Sequence, residues 1–362
     1  MTQPPATPVR TPVGPLAEPA GIRDGAPMTQ PPATPVRTPV RPPAEPAGIR
    51  DGGAWAVPRP ARRVMGPDRP RSGNRPLQPL RFAVLGDSLS EGVGDRVEGA
   101  WRGWAALLAD GLVEAGRAVE VRNLAVSGAQ SREVAEEQAP EAVAFRPDLA
   151  SVVVGVNDTL RRTFDIERFA RCLDRVCADL AGNGAVLLTA CLPDPGRMLR
   201  LPTPLARPLE RRQKAVNALV HAVSARYDAV HLHLAEPVWT DDRSLWSADR
   251  LHPGERGHRA IAARFHTLLA ARGLAHGTPP SPEPEQPPPT RADTVRWLAT
   301  AGTGWVARRC HDLLPQLLHL AGAELRHSAA GTAARLDHRA EHALSAALAA
   351  VSLDAPVATM GE

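Results

Sequence analysis

Between Leu80 and Arg272 the apolar positions switch repeatedly between two spacings. Short apolar runs at Arg81 to Leu85, Val119 to Asn123, Leu149 to Val154, Ala185 to Ala190 and Ala229 to His233 read as strands. In the third, Val152-Val153-Val154 offers no polar face, which suits a strand covered on both sides. The segments between them repeat every three or four residues: Trp101, Trp104, Leu108 and Leu112; Ile166, Phe169, Leu173, Val176 and Leu180; Val216, Leu219, Val220 and Val223; Ile261, Phe265, Leu268 and Leu269. That period lays one apolar stripe along each helix. Strands alternating with helices, joined by right-handed crossovers, predict a parallel sheet with helices on both faces. Residues 80–272 are therefore expected to form one three-layer α/β/α domain with five strands.

Composition sets the limits of that domain. Twenty of the 38 prolines lie in residues 1–79 and seven more between Pro279 and Pro289, so neither stretch can build a regular core. Residues 1–25 recur as 28–52 with Gly14 replaced by Arg41 and Leu16 by Pro43. Two copies are too few for a solenoid. The reading is a disordered Pro/Arg-rich arm over 1–79, with Met1 or Met28 as its start, and a Pro-rich linker over 273–290. Beyond it, Thr290 and Asp293 resemble a capping box ahead of Trp297 and Leu298. Breaks are expected at Gly302 to Gly304 and at Pro315, followed by an Ala-rich amphipathic helix toward Leu353 and a disordered tail over 354–362. The polar face of the 291–353 extension mixes Arg, His, Asp and Glu, which favours a helical hairpin packed on protein over a membrane-surface helix. Self-association or contact with a partner through 291–353 stays open.

The formal charge of +4 and a pI near 9.3 raise the question of nucleic acid. The arm answers it: eleven arginines against five acids lie in residues 1–79, and the remainder is slightly acidic. Lys214 is the sole lysine, and the arginines form no patch interleaved with aromatics, so no nucleic-acid partner is expected. Cys172, Cys177, Cys191 and Cys310 show neither a CxxC pair nor zinc-like spacing and read as free, mostly buried thiols. No run approaches the roughly 20 apolar residues of a membrane span. Neither Met1 nor Arg62-Arg63 is followed by an apolar signal segment. A cytoplasmic protein is expected.

The first strand ends abruptly in Gly86-Asp87-Ser88-Leu89-Ser90. This is turn chemistry, yet it also stands a serine at the carboxyl edge of a sheet, where open α/β folds bind ligands. A serine hydroxyl needs a base, and Asp249-Arg250-Leu251-His252-Pro253 supplies a histidine with a carboxylate three residues earlier, close enough on a helical turn to hold the ring. Pro253 and Gly254 would open the last helix. Acyl transfer further needs donors aimed at an oxyanion. Val126-Ser127-Gly128-Ala129 follows the second strand with a glycine whose bare backbone allows close approach, and Val154-Gly155-Val156-Asn157-Asp158 follows the third with a side-chain amide. The loops after three strands and the segment before the last helix thus open on one sheet edge.

These four blocks, in this order, resemble the SGNH, or GDSL, hydrolase family over about residues 80–272. The resemblance implies a flavodoxin-like sheet of order 2-1-3-4-5. It implies Ser88 as nucleophile, His252 as base and Asp249 as its orienter. The oxyanion hole would be formed by the N–H groups of Ser88 and Gly128 and the Asn157 amide. Rival readings are weaker. The Gly-x-Ser-x-Gly elbow is absent around Ser88. Gly92-Val93-Gly94 lacks a third glycine and the second strand ends at Asn123, with no acid for a ribose. His231 and His233 share a strand face, but no neighbouring acid completes a site, so neither metal nor cofactor is expected. The expectation is a serine ester hydrolase (esterase or lipase-like acylhydrolase) working through an acyl-enzyme on Ser88, with a small-molecule, lipid or carbohydrate ester as substrate. An acyltransferase using the same site and a catalytically silent binding module are the alternatives. Met198, Leu199, Leu201 and Leu205, in the loop Leu192 to Pro208, would either line an acyl pocket or anchor that loop.

Overall fold

The computed structural model describes residues 78–285 apart from Ala115, the positions Thr290 and Ala292, and residues 301–353, with backbone only for 301–312. Residues 1–77 of the arm, 286–289 of the linker, the positions Asp293, Trp297 and Leu298, and the tail 354–362 lie outside the described residues.

Five parallel strands form the central sheet: β1 (Leu80–Gly86), β2 (Val119–Asn123), β3 (Leu149–Val153), β4 (Val186–Cys191) and β5 (Val230–His233), in the order β2-β1-β3-β4-β5. This is the expected order. Alternation along β1 divides the core between the two faces. Phe82 and Val84 face a cluster with Trp104 and Leu108 of α1 (Gly103–Leu112) and Ile261, Phe265 and Leu269 of the last sheet-packed helix, Glu255–Ala271. Ala83 and Leu85 face the opposite cluster, with Phe145 of α2 (Ala139–Phe145), Phe169 and Leu173 of α3 (Ile166–Gly182) and Val216, Leu219 and Val223 of α4 (Thr203–Arg226). With Glu255–Ala271 as α5, the three layers are complete.

The extension departs from expectation at its breaks. Residues 301–329 form one continuous helix, α6 (Ala301–Ala329), through Gly302, Gly304 and Pro315. Pro315 is exposed, so the carbonyl its ring deprives of an N–H can turn to water, and packing of α6 along α4 holds the helix together. The chain reverses at Gly331, whose φ of 64° suits glycine, into α7 (Ala334–Leu353). Ala347 and Val351 of α7 join the core cluster outside α3 and α4. An ion-pair group fastens the hairpin: Arg211 of α4 meets Glu324 of α6 at 3.2 Å and Asp337 of α7 at 2.7 Å, and Glu324 is buried. No described helix is long and apolar enough to cross a membrane.

Candidate active site

Ser88 is placed by the end of β1. Gly86 adopts φ 140°, and a Cβ there would lie 2.1 Å from the Val153 carbonyl oxygen of β3, so only glycine lets the strands close at this point. The buried Gln138 side chain accepts from Gly86 N at 2.8 Å and donates to Gly86 O at 2.9 Å, giving the last strand residue both partners. Asp87 then caps a short helical turn, Ser88–Glu91, its Oδ1 accepting from Leu89 N at 3.1 Å. Ser88 therefore heads the turn at the carboxyl edge of the sheet.

His252 comes from a turn rather than a helix. Asp249 Oδ1 accepts from Ser247 Oγ at 2.7 Å, Leu251 N at 2.9 Å and His252 N at 3.0 Å. Arg250 takes the left-handed conformation, φ 61°. The i to i+3 relation between carboxylate and ring thus arises from a side-chain-bonded turn. Pro253 is not the first helical residue either: it forms a bridge with Trp246, and α5 begins at Glu255. The free carboxylate oxygen, Asp249 Oδ2, lies 2.6 Å from His252 Nδ1, and His252 Nε2 lies 2.8 Å from Ser88 Oγ. Burial pushes the Asp249 carboxyl up, but the bonds from His252, its backbone and Ser247 more than offset this and hold it at about 2. An ionised Asp249 keeps a proton on Nδ1, so Nε2 presents a lone pair to the Ser88 hydroxyl.

Asn157, in the short helix Val156–Thr159 after β3, donates from Nδ2 to Asp87 Oδ2 and to the Ala129 carbonyl oxygen, both at 3.1 Å. Gly128 sits in the loop after β2 with φ 91°. Its neighbours tie that loop to the site: Ser127 N and Oγ both donate to Glu91 Oε2, and Ala129 O accepts from Asn157. Gly128 does not line the cavity described next. Among the described residues, neither Ser88 N nor Gly128 N donates a hydrogen bond.

Ser88, Asn157 and His252 open into a cavity of about 260 Å³ whose remaining wall is mostly apolar. Leu192, Met198 and Leu199 line it from the loop after β4; Leu201 and Leu205 do not. Leu313, Leu314 and Leu317 of α6 line it from the extension. That contribution was not foreseen, because helical spacing shows that α6 has an apolar face but not which surface the face meets. Asp87 and Asp158 lie in stretches that read as turns, yet the second oxygen of Asp87 holds Asn157, and Asp158 has long-range partners of its own. It is buried, accepts from Ser131 N at 3.1 Å and Ser131 Oγ at 2.6 Å, and burial raises its carboxyl to about 6. The buried His258 has a structural part: its Nδ1 accepts from Trp104 N at 3.1 Å, its Nε2 donates to Val93 O at 3.0 Å, and burial lowers it to about 4.

No curated protein matches the chain. Among solved structures, it is similar to Axe2, an acetylxylan esterase from Geobacillus stearothermophilus, with 17% identity, a TM-score of 0.42 and coverage of 54% of this chain and 94% of that one. It is also similar to TesA, with 22% identity, a TM-score of 0.43 and coverage of 53% and 98%. A third is LAE5, an α/β hydrolase enzyme from the metagenome of Lake Arreo, Spain, with 20% identity, a TM-score of 0.43 and coverage of 55% and 97%. Residues 84–260, most of the domain built on the five-stranded sheet, match the model of the GDSL-like lipase/acylhydrolase family, and the chain is a hydrolase acting on ester bonds.

Proposed function

We propose that the chain cleaves esters through an acyl-enzyme on Ser88, and that its substrates carry an apolar acyl group. The observation that supports the chemistry best is the relay Ser88 Oγ, His252 Nε2, His252 Nδ1, Asp249 Oδ2, with links of 2.8 and 2.6 Å. In this reading Ser88 Oγ attacks the ester carbonyl as its proton passes to Nε2, and the ionised Asp249 stabilises the imidazolium that forms. The tetrahedral intermediate collapses when Nε2 returns that proton to the departing alkoxide. Water, deprotonated by the same nitrogen, then attacks the acyl-enzyme and releases the acid.

The oxyanion would be met by the N–H groups of Ser88 and Gly128 and by Asn157. Asp87 holds the amide through one N–H. The other rests on a neutral carbonyl oxygen, and a developing oxyanion is the stronger acceptor. Asp87 is in this reading a positioning residue.

The apolar wall favours acyl chains longer than acetyl, because each methylene buried there gains about 0.8 kcal/mol. Labelling with a fluorophosphonate, followed by peptide mass spectrometry, should place one phosphonyl group on Ser88. Ser88→Ala should abolish both labelling and turnover, and turnover by a folded Ser88→Ala variant within tenfold of the native rate would end the proposal. A panel of esters from acetate to decanoate tests the acyl group: kcat/KM should rise with chain length until the cavity is full.

A further inference from the structure

At the carboxyl ends of β4 and β5, beside α4, four side chains from three elements converge that the ester chemistry does not use. Cys191 ends β4, His231 and His233 lie two apart on β5, and His221 comes from α4. Cys191 and His233 are register partners across the two strands. One ligand-type atom from each of the four falls within 4.8 Å of every other. His221 Nε2 and His233 Nδ1 are 3.2 Å apart, and Cys191 Sγ is 4.0 Å from His233 Nδ1. A tetrahedral ion with bonds of about 2.0 Å to nitrogen and 2.3 Å to sulfur needs separations of roughly 3.3 to 3.6 Å, so only a small contraction is required. The histidine pair alone suggested no site because an acid was sought beside it. The further ligands are instead a thiol and a third imidazole, brought in by the fold.

The surroundings prepare these groups for a cation. Ser224 Oγ donates to Val220 O at 2.5 Å, so toward His231 Nδ1, 3.1 Å away, it can only accept. Nδ1 therefore carries the ring proton, shared with Thr189 Oγ1 at 2.9 Å. His231 Nε2 is left with a lone pair, buried and without a hydrogen-bond partner. This is the tautomer and the outer hydrogen bonding of a metal-ligating histidine. Burial pushes the Cys191 thiol up, and the backbone N–H groups of Ala235 and Leu234, hydrogen-bonded to its sulfur, work against that shift and are placed to support a metal-bound thiolate. The ring centroids of the three histidines lie 4.6 to 5.1 Å apart, too close for them to be cationic together. His221 and His233 are exposed, which gives an ion a way in.

We propose that Cys191, His221, His231 and His233 form a tetrahedral Zn²⁺ site that clamps the ends of β4 and β5 to α4. Four protein ligands leave no open position, so the ion is structural. Its place gives it a reach: Leu192 and Leu234, the residues after Cys191 and His233, line the cavity at Ser88.

The test uses the full chain, purified without a histidine tag, stripped with chelator and kept reduced. Equilibrium dialysis against ZnCl₂ with elemental analysis should find one zinc per chain, and calorimetric titration should give its Kd. His233→Ala removes an exposed ligand with little risk to folding, and should weaken binding at least about tenfold. Cys191→Ser should abolish the thiolate-to-metal absorption that Co²⁺ shows with the native chain. At a hundredfold excess of zinc over Kd, the native Tm should rise by roughly 5 °C or more, and that of His233→Ala should not. No zinc retained by the native chain, copper retained in its place, or equal affinity in native and His233→Ala proteins would each overturn the site. None of these readouts depends on ester turnover, so they stand or fall apart from the role of Ser88.

Discussion

Replacing Asp249 by Asn tests the proposed relay at the link where geometry dictates the outcome. An asparagine oxygen can take over the three bonds of Oδ1 from Ser247, Leu251 and His252, so the turn that presents the ring should survive. The amide nitrogen then falls where Oδ2 stood, 2.6 Å from Nδ1. A donor facing Nδ1 demands a lone pair there, which moves the ring proton to Nε2, and a protonated Nε2 donates to Ser88 instead of accepting from it. To act as base, the ring must return the proton to Nδ1. That forfeits a charge-assisted hydrogen bond of about 1.5–3 kcal/mol and leaves a buried N–H unpaired at about 1–3 kcal/mol. The sum corresponds to a loss of roughly 10²- to 10⁴-fold in kcat. KM should change little, since no substrate contact is removed. Steady-state kinetics on one activated ester, with circular dichroism to confirm folding, gives the answer. A folded variant within tenfold of native kcat would refute the assignment of Asp249 as orienter. Asp249→Ala serves as contrast: it loses the turn bonds too, and should be clearly less stable than the Asn variant.

Asn157→Ala should lower kcat on the order of 10²- to 10³-fold at nearly constant KM, and unchanged kcat would remove the amide from the oxyanion hole. Asn157→Asp should be worse, because its carboxylate would stand about 3.1 Å from Asp87 Oδ2, a repulsion of roughly 5 kcal/mol at an effective dielectric of 20; a faster Asp than Ala variant would contradict this. The triple variant Leu313→Ala, Leu314→Ala, Leu317→Ala keeps helix propensity but thins the cavity wall. It should cost an octanoate ester about tenfold in kcat/KM, the worth of some two covered methylenes, and leave the acetate ester unchanged; equal effects on both esters would show that α6 does not grip the acyl chain. Asp158 supplies a pH dependence of stability. Its folded carboxyl, raised by burial to about 6 from 3.8, binds its proton more tightly than the unfolded one. Folding is therefore weakened as pH rises from about 4 to about 6, by roughly 3 kcal/mol in all. Urea unfolding of native protein and Asp158→Asn at pH 4 and pH 7 should show a flatter pH response in the variant, and parallel responses would assign the slope to other groups.

The layered sheet was legible because period-two and period-3.6 patterns are strong where elements are buried, as at Val152-Val153-Val154 and along Phe169, Leu173, Val176 and Leu180. Ser88 and Asn157 were legible because each follows a strand in a short polar block, and the Asp249–His252 pair because it stands just before the last sheet-packed helix. What stayed hidden depends on distance in sequence. Pairing of Gln138 with Gly86, of Asp158 with Ser131 and of Glu91 with Ser127 leaves no local pattern. Nor does anything near Pro315 show that packing on α4 would carry a helix through it. An i, i+3 spacing such as Asp249–His252 fits a helical turn and a side-chain-bonded turn equally, so the sequence does not distinguish them.

The leucines of α6 lie more than fifty residues beyond the stretch that matches the family, 84–260, yet they face the same cavity as Ser88. If the proposed roles of Ser88 and of these leucines hold, chemistry and selectivity are written in separate parts of the gene. A family core can keep its reactive groups fixed while an appended hairpin, held from behind by Arg211, Glu324 and Asp337, drifts or is exchanged. Enzymes with nearly identical cores but different tails would then differ in the acids they release, and comparing cores alone would not reveal it. Grafting the 301–353 hairpin onto a relative that ends after its last core helix offers a way to transfer a preference without altering a reacting atom.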